Sequence, residues 1–146
     1  MCNGHSARTS QGGSIAVLRP SSPSQNPSSD SEIKVLFSNS FATSLDQPGT
    51  QVQFHGLETS NSQPSYHHWL IIHRDGNLNN STNHSLPPVD PFFSFALNSQ
   101  DDSVLQLNRT LDLGVGETGI IGRRISMMAG EQRGERVIAE GIIGWN

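Results

Sequence analysis

Apolar residues along this chain fall in short clusters separated by polar, turn-forming stretches, and where a cluster has a period it is two. Val52 and Phe54 alternate with Gln51 and Gln53, the pattern of a strand with one face turned to a core. Val104, Leu105, Leu107 and Leu111 against Gln106 and Asn108 repeat it less regularly. Read this way, the chain has eight predicted strands: Ser14–Leu18, Glu32–Phe37, Gln51–Leu57, Trp69–Arg74, Phe92–Leu97, Val104–Leu111, Ile120–Met128 and Arg136–Ile143. Turn signals separate them at Gln47-Pro48-Gly49, Asp75-Gly76-Asn77, Pro87-Pro88 and Arg133-Gly134,. No segment has a 3.6-residue period and no repeat of 20–50 residues is visible. Short strands at even spacing predict an all-β sandwich or barrel.

Composition sharpens the picture in three places. The 146 residues suit one domain,. Residues 1–13 are a polar tail, and 20–31 (Pro-Ser-Ser-Pro-Ser-Gln-Asn-Pro-Ser-Ser-Asp-Ser) hold too little apolar surface to pack, so they read as a flexible loop insertion in a domain spanning 14–146,. Serine (21) and asparagine (11) far outnumber alanine (6), which argues against a helical bundle.

Charge and cysteine content exclude more. The net charge is −4 and Lys34 is the only lysine, so no phosphate-binding footprint is present and no nucleic-acid partner is expected. The densest apolar run, Trp69-Leu70-Ile71-Ile72, is too short for a transmembrane span, and the opening residues lack the apolar core of a signal peptide,. The compartment therefore stays open. An extracellular site would require a further upstream segment, towards which the sequons at Asn79, Asn80, Asn83 and Asn108 lean,. Cys2 is the single cysteine, which rules out an intramolecular disulfide and a cysteine-rich metal site.

Candidate chemistry is sparse. Gly114-Val115-Gly116-Glu117-Thr118-Gly119 fits the dinucleotide pattern, but the β-branched, glycine-broken Ile120-Ile121-Gly122 that follows cannot begin the helix such a site needs,. A loop between strands is expected instead. His67, His68, His73 and His84 cluster, with His55 upstream. In a strand His67 and His73 share a face but lie six residues, roughly 20 Å, apart, while His68 points the other way. A metal would need ligands from other strands, and a structural, hydrogen-bonded His68 is the plainer reading. Met128 offers a soft thioether that Cu(I) accepts, although a methionine at a strand end more often fills a core. No nucleophile elbow is present.

Taken in order, these segments resemble the copper/zinc superoxide dismutase family. Gly119-Ile120-Ile121-Gly122-Arg123-Arg124-Ile125 is similar to its S-I-I-G-R-x-L/I strand, and Ala139-Glu140-Gly141-Ile142-Ile143-Gly144 to its closing A-C-G-V-I-G. His68-Trp69-Leu70-Ile71-Ile72-His73-Arg74-Asp75-Gly76-Asn77 resembles H-G-F-H-V-H-E-x-G-D without a gap, preceded by Gly56-Leu57. Pro87-Pro88-Val89-Asp90-Pro91 resembles P-H-F-N-P, and Ser14–Leu18 the first strand. The resemblance spans about residues 14–146 and implies an eight-stranded Greek-key β-barrel.

Carried over residue by residue, the resemblance places Ile71, His73, Pro88 and Met128 at the four copper-ligand positions, so one histidine remains. Zinc ligands have no counterpart beyond Pro91. Glu140 stands where one disulfide cysteine belongs, and Thr82 lies near the other. Arg136 is a candidate for the active-site arginine, while His68, Gly76, Gly122 and Gly141 occupy structural positions. Two readings follow. In one the barrel has lost dismutase activity, needs no cofactor, and serves as a binding or structural module for a protein partner such as a copper chaperone or a second copy of itself in a homodimer. In the other it holds a divergent, copper-only site built from His73, Met128 and one of His55, His67 or His84. Zinc is expected in neither.

Overall fold

The computed structural model describes residues 12–21, 32–39, 49–56, 67–78, 90–97, 103–130 and 136–146. Its strands are β1 (Ser14–Pro20), β2 (Ile33–Asn39), β3 (Thr50–His55), β4 (His67–Ile72), β5 (Phe93–Leu97), β6 (Val104–Gln106), β7 (Arg124–Gly130) and β8 (Arg136–Trp145). All pairings between these strands are antiparallel. The strands follow the order β5-β4-β7-β8-β1-β2-β3-β6 and form a nearly closed barrel with β5 and β6 at its two edges. Among the described residues no helix is long and apolar enough to cross a membrane.

Every predicted strand is present, with ends shifted by one or two residues except at the sixth and seventh, where a limit moves further. The sixth ends at Gln106 because the register breaks just beyond it, where the Thr50 N–H donates to the Arg109 carbonyl (3.2 Å) and not to that of Leu107. The Leu107 N–H donates to the Thr50 carbonyl (2.8 Å), and Leu111 N–H donates to Thr50 Oγ1 (2.8 Å). The seventh starts at Arg124, four residues later than expected, because Ile120–Arg123 forms a turn closed by Arg123 N–H on the Ile120 carbonyl (3.2 Å). Strand β1 also runs on to Pro20, opposite Ala139, and so takes the first residue of the expected loop insertion. The rest of that loop from residue 22, and the tail up to residue 11, lie outside the described residues.

The core draws alternate residues from both halves of the barrel. Ala16 and Leu18, Val35 and Phe37, and Val52 and Phe54 come from β1–β3. Leu70, Ile72, Ile125, Met127, Ala139 and Ile143 come from the other half, and Ile120 and Leu111 from connections. Strands β4 and β7 depart from simple alternation. Leu70, Ile71 and Ile72 are all buried, as are all residues from Ile125 to Gly130. A strand buried on both faces reads as a near-continuous apolar run, as Trp69–Ile72 does throughout and Ile125–Ala129 does except at Ser126. Ile71 and Met128 are buried outside the core cluster, so a second, smaller buried layer lies on the outer side of the β4–β7 pair.

Candidate functional site

The outer layer is set by register. Strand β4 pairs with β7 so that Trp69 faces Met128 and Ile71 faces Ser126. One step further His73 N–H donates to the Arg124 carbonyl at 2.8 Å. Side chains two apart on a strand share a face, so Trp69, Ile71 and His73 stand beside Met128, Ser126 and Arg124. Glu140 of β8 lies opposite Ser126. The turn after His73 is fixed by Arg123, whose Nη1 donates to the Arg74 carbonyl (2.7 Å), and by Asp75, whose Oδ1 accepts the Asn77 N–H (3.1 Å).

Among the described residues of this layer His73 is the one buried ionisable side chain, 7% exposed. Its Nε2 lies 2.8 Å from Ser126 Oγ and its Nδ1 lies 3.2 Å from Arg124 Nη2. A guanidinium can only donate, so Nδ1 is the acceptor and the proton sits on Nε2, which donates to Ser126. Burial, and then the neighbouring Arg124 charge, push the His73 pKa down to about 4, against the opposing pull of Asp75. The ring is therefore neutral at pH 7.

This arrangement restricts the chemistry. A Ser–His pair at 2.8 Å has the separation of a nucleophile and its base,. Here the nitrogen facing the hydroxyl already carries the proton and cannot take another. The group that orients the ring is a cation, opposite in sign to the carboxylate of a catalytic triad. The resemblance assigns four positions to copper, three of them among the described residues. Ile71 offers hydrocarbon, both nitrogens of His73 are engaged, and Pro88 lies outside the described residues. Met128 offers a thioether, 2% exposed, on the face of His73. Four residues of strand, roughly 13 Å, separate the two along the sheet, with Ile71 and Ser126 between them,.

The remaining sequence-selected residues scatter. His68 is half-buried on the core-facing side of β4, opposite Leu97 and Ala129. Arg136 opens β8 opposite Ala129. His55 ends β3 and is exposed, and His67 begins β4. His84, Cys2, Thr82 and the sequons at Asn79, Asn80 and Asn83 lie outside the described residues, whereas Asn108 is exposed in the bend after β6. No three His, Cys, Asp or Glu residues converge in metal-binding distance among the described residues. Gly76 lies so close to Gly122 that an added Cβ would stand 2.2 Å from the Gly122 carbonyl oxygen. Gly141 makes the same approach, 2.2 Å, to Val17.

The glycine-rich 114–119 segment is a loop, as expected, and no helix follows it. Asp112 organises it by accepting from Gly114 N–H (2.9 Å) and Thr118 Oγ1 (2.7 Å). Arg123 completes it, donating to the carbonyls of Gly119 and Glu117 (both 2.6 Å) while its guanidinium lies 3.9 Å from the Phe92 ring centre. Sequence reasoning did not identify Arg124 and Ser126 as partners of His73. The available signal was the alternation of β7, which puts both on one face, but only the register with β4 brings that face to His73. Compared with models of known protein families the chain matches none, and no curated protein matches it.

Proposed function

We propose that the chain is a superoxide dismutase-like β-barrel without dismutase activity, acting as a binding or structural module. The order β5-β4-β7-β8-β1-β2-β3-β6, in which β3 to β4 and β6 to β7 skip neighbours, supports a Greek-key arrangement of that kind. One observation carries the functional half. The histidine that the resemblance assigns to copper is held between Ser126 and Arg124, and hydrocarbon from Ile71 occupies the adjoining ligand position. Dismutation needs a metal that cycles between oxidation states with an open coordination position, and this donor set supplies neither. In the module the partner is a copper chaperone or a second copy of the chain, and sedimentation of the chain alone and mixed with a chaperone separates the two. The main test is metal analysis of protein made with ample copper and zinc, together with a superoxide-consumption assay. No stoichiometric copper and no activity is expected; copper at one equivalent with activity overturns the reading.

The alternative, a Cu(I) site of His73, Met128 and another histidine, has these two on one outer face but roughly 13 Å apart along the sheet,. It requires that His73→Ala and Met128→Leu each weaken copper binding, and it fails if affinity is unchanged.

A further inference from the structure

We infer that Arg124 is a built-in cation that takes the place of a metal ion at this corner. By donating to Nδ1 it fixes His73 as the Nε2–H tautomer, closes both ring nitrogens to metals and fastens β4 to β7. The inference deepens the reading of this site as a metal-free one.

The argument is one of proton positions. A metal ion binds the bare nitrogen of a neutral imidazole and leaves the proton on the other. Coordination at Nε2 would move the proton to Nδ1, where it would face Arg124 Nη2, 3.2 Å away, donor against donor. Coordination at Nδ1 would have to displace the guanidinium itself, with the ion arriving beside its positive charge. Either route breaks the Arg124 contact, and the Nε2 route also breaks the 2.8 Å bond to Ser126. These bonds tie residues 51 and 53 positions apart in the chain. They run across the layer that contains Ile71 and Met128, so the hydrogen bonds join two strands as a bridging ion would. Charge-assisted bonds of this type are among the stronger ones in a partly buried setting.

Long-range proton–nitrogen NMR of the full chain at pH 7 tests this. The expected spectrum has a protonated Nε2 and a bare Nδ1 at His73, unchanged on adding one equivalent of zinc, or of silver(I) as a redox-inert stand-in for Cu(I). A proton on Nδ1, or a His73 nitrogen shifted by either metal, overturns the inference. Arg124→Met should release the ring, giving mixed tautomers and at least tenfold tighter zinc or silver binding at His73. Arg124→Lys, which keeps a donor and a charge, should retain the wild-type tautomer. If Arg124→Met does not fold, the wild-type and Arg124→Lys spectra still decide. Superoxide consumption with the His73 spectrum unchanged would refute the proposed function alone, and a metal shift at His73 without activity would refute this inference alone.

Discussion

His73 stays neutral through the pH range in which a solvated histidine gains its proton, because burial and Arg124 together hold its pKa near 4,. Between the ordinary 6.5 and about 4 the unfolded chain binds a proton that the folded chain refuses,. Stability from this residue is therefore complete above pH 6.5, falls as the pH drops towards 4, and is flat below it. The full loss is on the order of 3 kcal/mol as an upper bound. Asp112 acts in a lower window. The Thr118 hydroxyl and the Gly114 N–H lower its pKa, so its contribution is lost only as pH falls below the ordinary carboxylate value of 3.8. Urea midpoints at pH 7, 5.5 and 4.5 should decline for the wild type, and the decline should be much shallower for His73→Gln. Equal slopes for the two proteins would show that another group carries the dependence. The resemblance drew attention to His73 in the sequence, but its environment was not legible there, since Arg124 and Ser126 reach it only across a strand pairing.

At the scale of the strand, β8 carries two glycines that look alike in sequence and differ in space. A Cβ on Gly141 would stand 2.2 Å from the Val17 carbonyl oxygen and 3.0 Å from its carbon, so backbone would have to move. A Cβ on Gly144 would meet nothing nearer than the Ile15 oxygen at 4.0 Å. Gly122, in the turn before β7, has open space but a φ of +85°, which costs an L-residue about 1–2 kcal/mol. Alanine substitutions should therefore rank Gly141 as the most damaging, at 2 kcal/mol or more by analogy with overpacking. Gly122 should follow at about 1–2 kcal/mol, and Gly144 should lie within about 0.5 kcal/mol of wild type. Chemical denaturation of the three variants gives the order, and a Gly144→Ala loss equal to that of Gly141→Ala would remove the steric explanation. Strands themselves were legible from sequence because a period of two with intervening turn residues marks them directly. Their limits failed at β6 and β7, where Thr50 hydrogen bonds and the Gly122 turn end the ladder and leave no trace in apolar periodicity.

For the whole molecule, strand composition alone sets no strand order, since many orders bury the same alternating faces. The doubly buried stretches do leave a trace: Trp69–Ile72 is a continuous apolar run, Ile125–Ala129 is broken only by Ser126, and β4 and β7 are neighbours with both faces covered. What holds this barrel together is the packing of Leu18, Phe37, Leu70, Ile72, Ile120, Ile125, Met127 and Ile143, with the His73 bonds on the outer side of β4 and β7. The single cysteine, Cys2, forbids an internal disulfide, and under the proposed metal-free function the His73 site draws nothing from a metal. Stability should then be indifferent to both reagents that dismantle a metal-bound, disulfide-stapled barrel. A resident metal at 100 times its dissociation constant would contribute about 2.7 kcal/mol, roughly 5–10 °C in Tm for a domain of this length. Thermal unfolding with and without excess chelator, and with and without a thiol reductant, should give the same Tm to within about 1 °C. A fall of about 5 °C or more on chelation alone would mean that a metal supports the fold, and the metal-free reading of the barrel would be wrong. A fall on reduction alone would point to disulfides between chains through Cys2, since no other cysteine exists, and would make a covalent pair of copies the stable form.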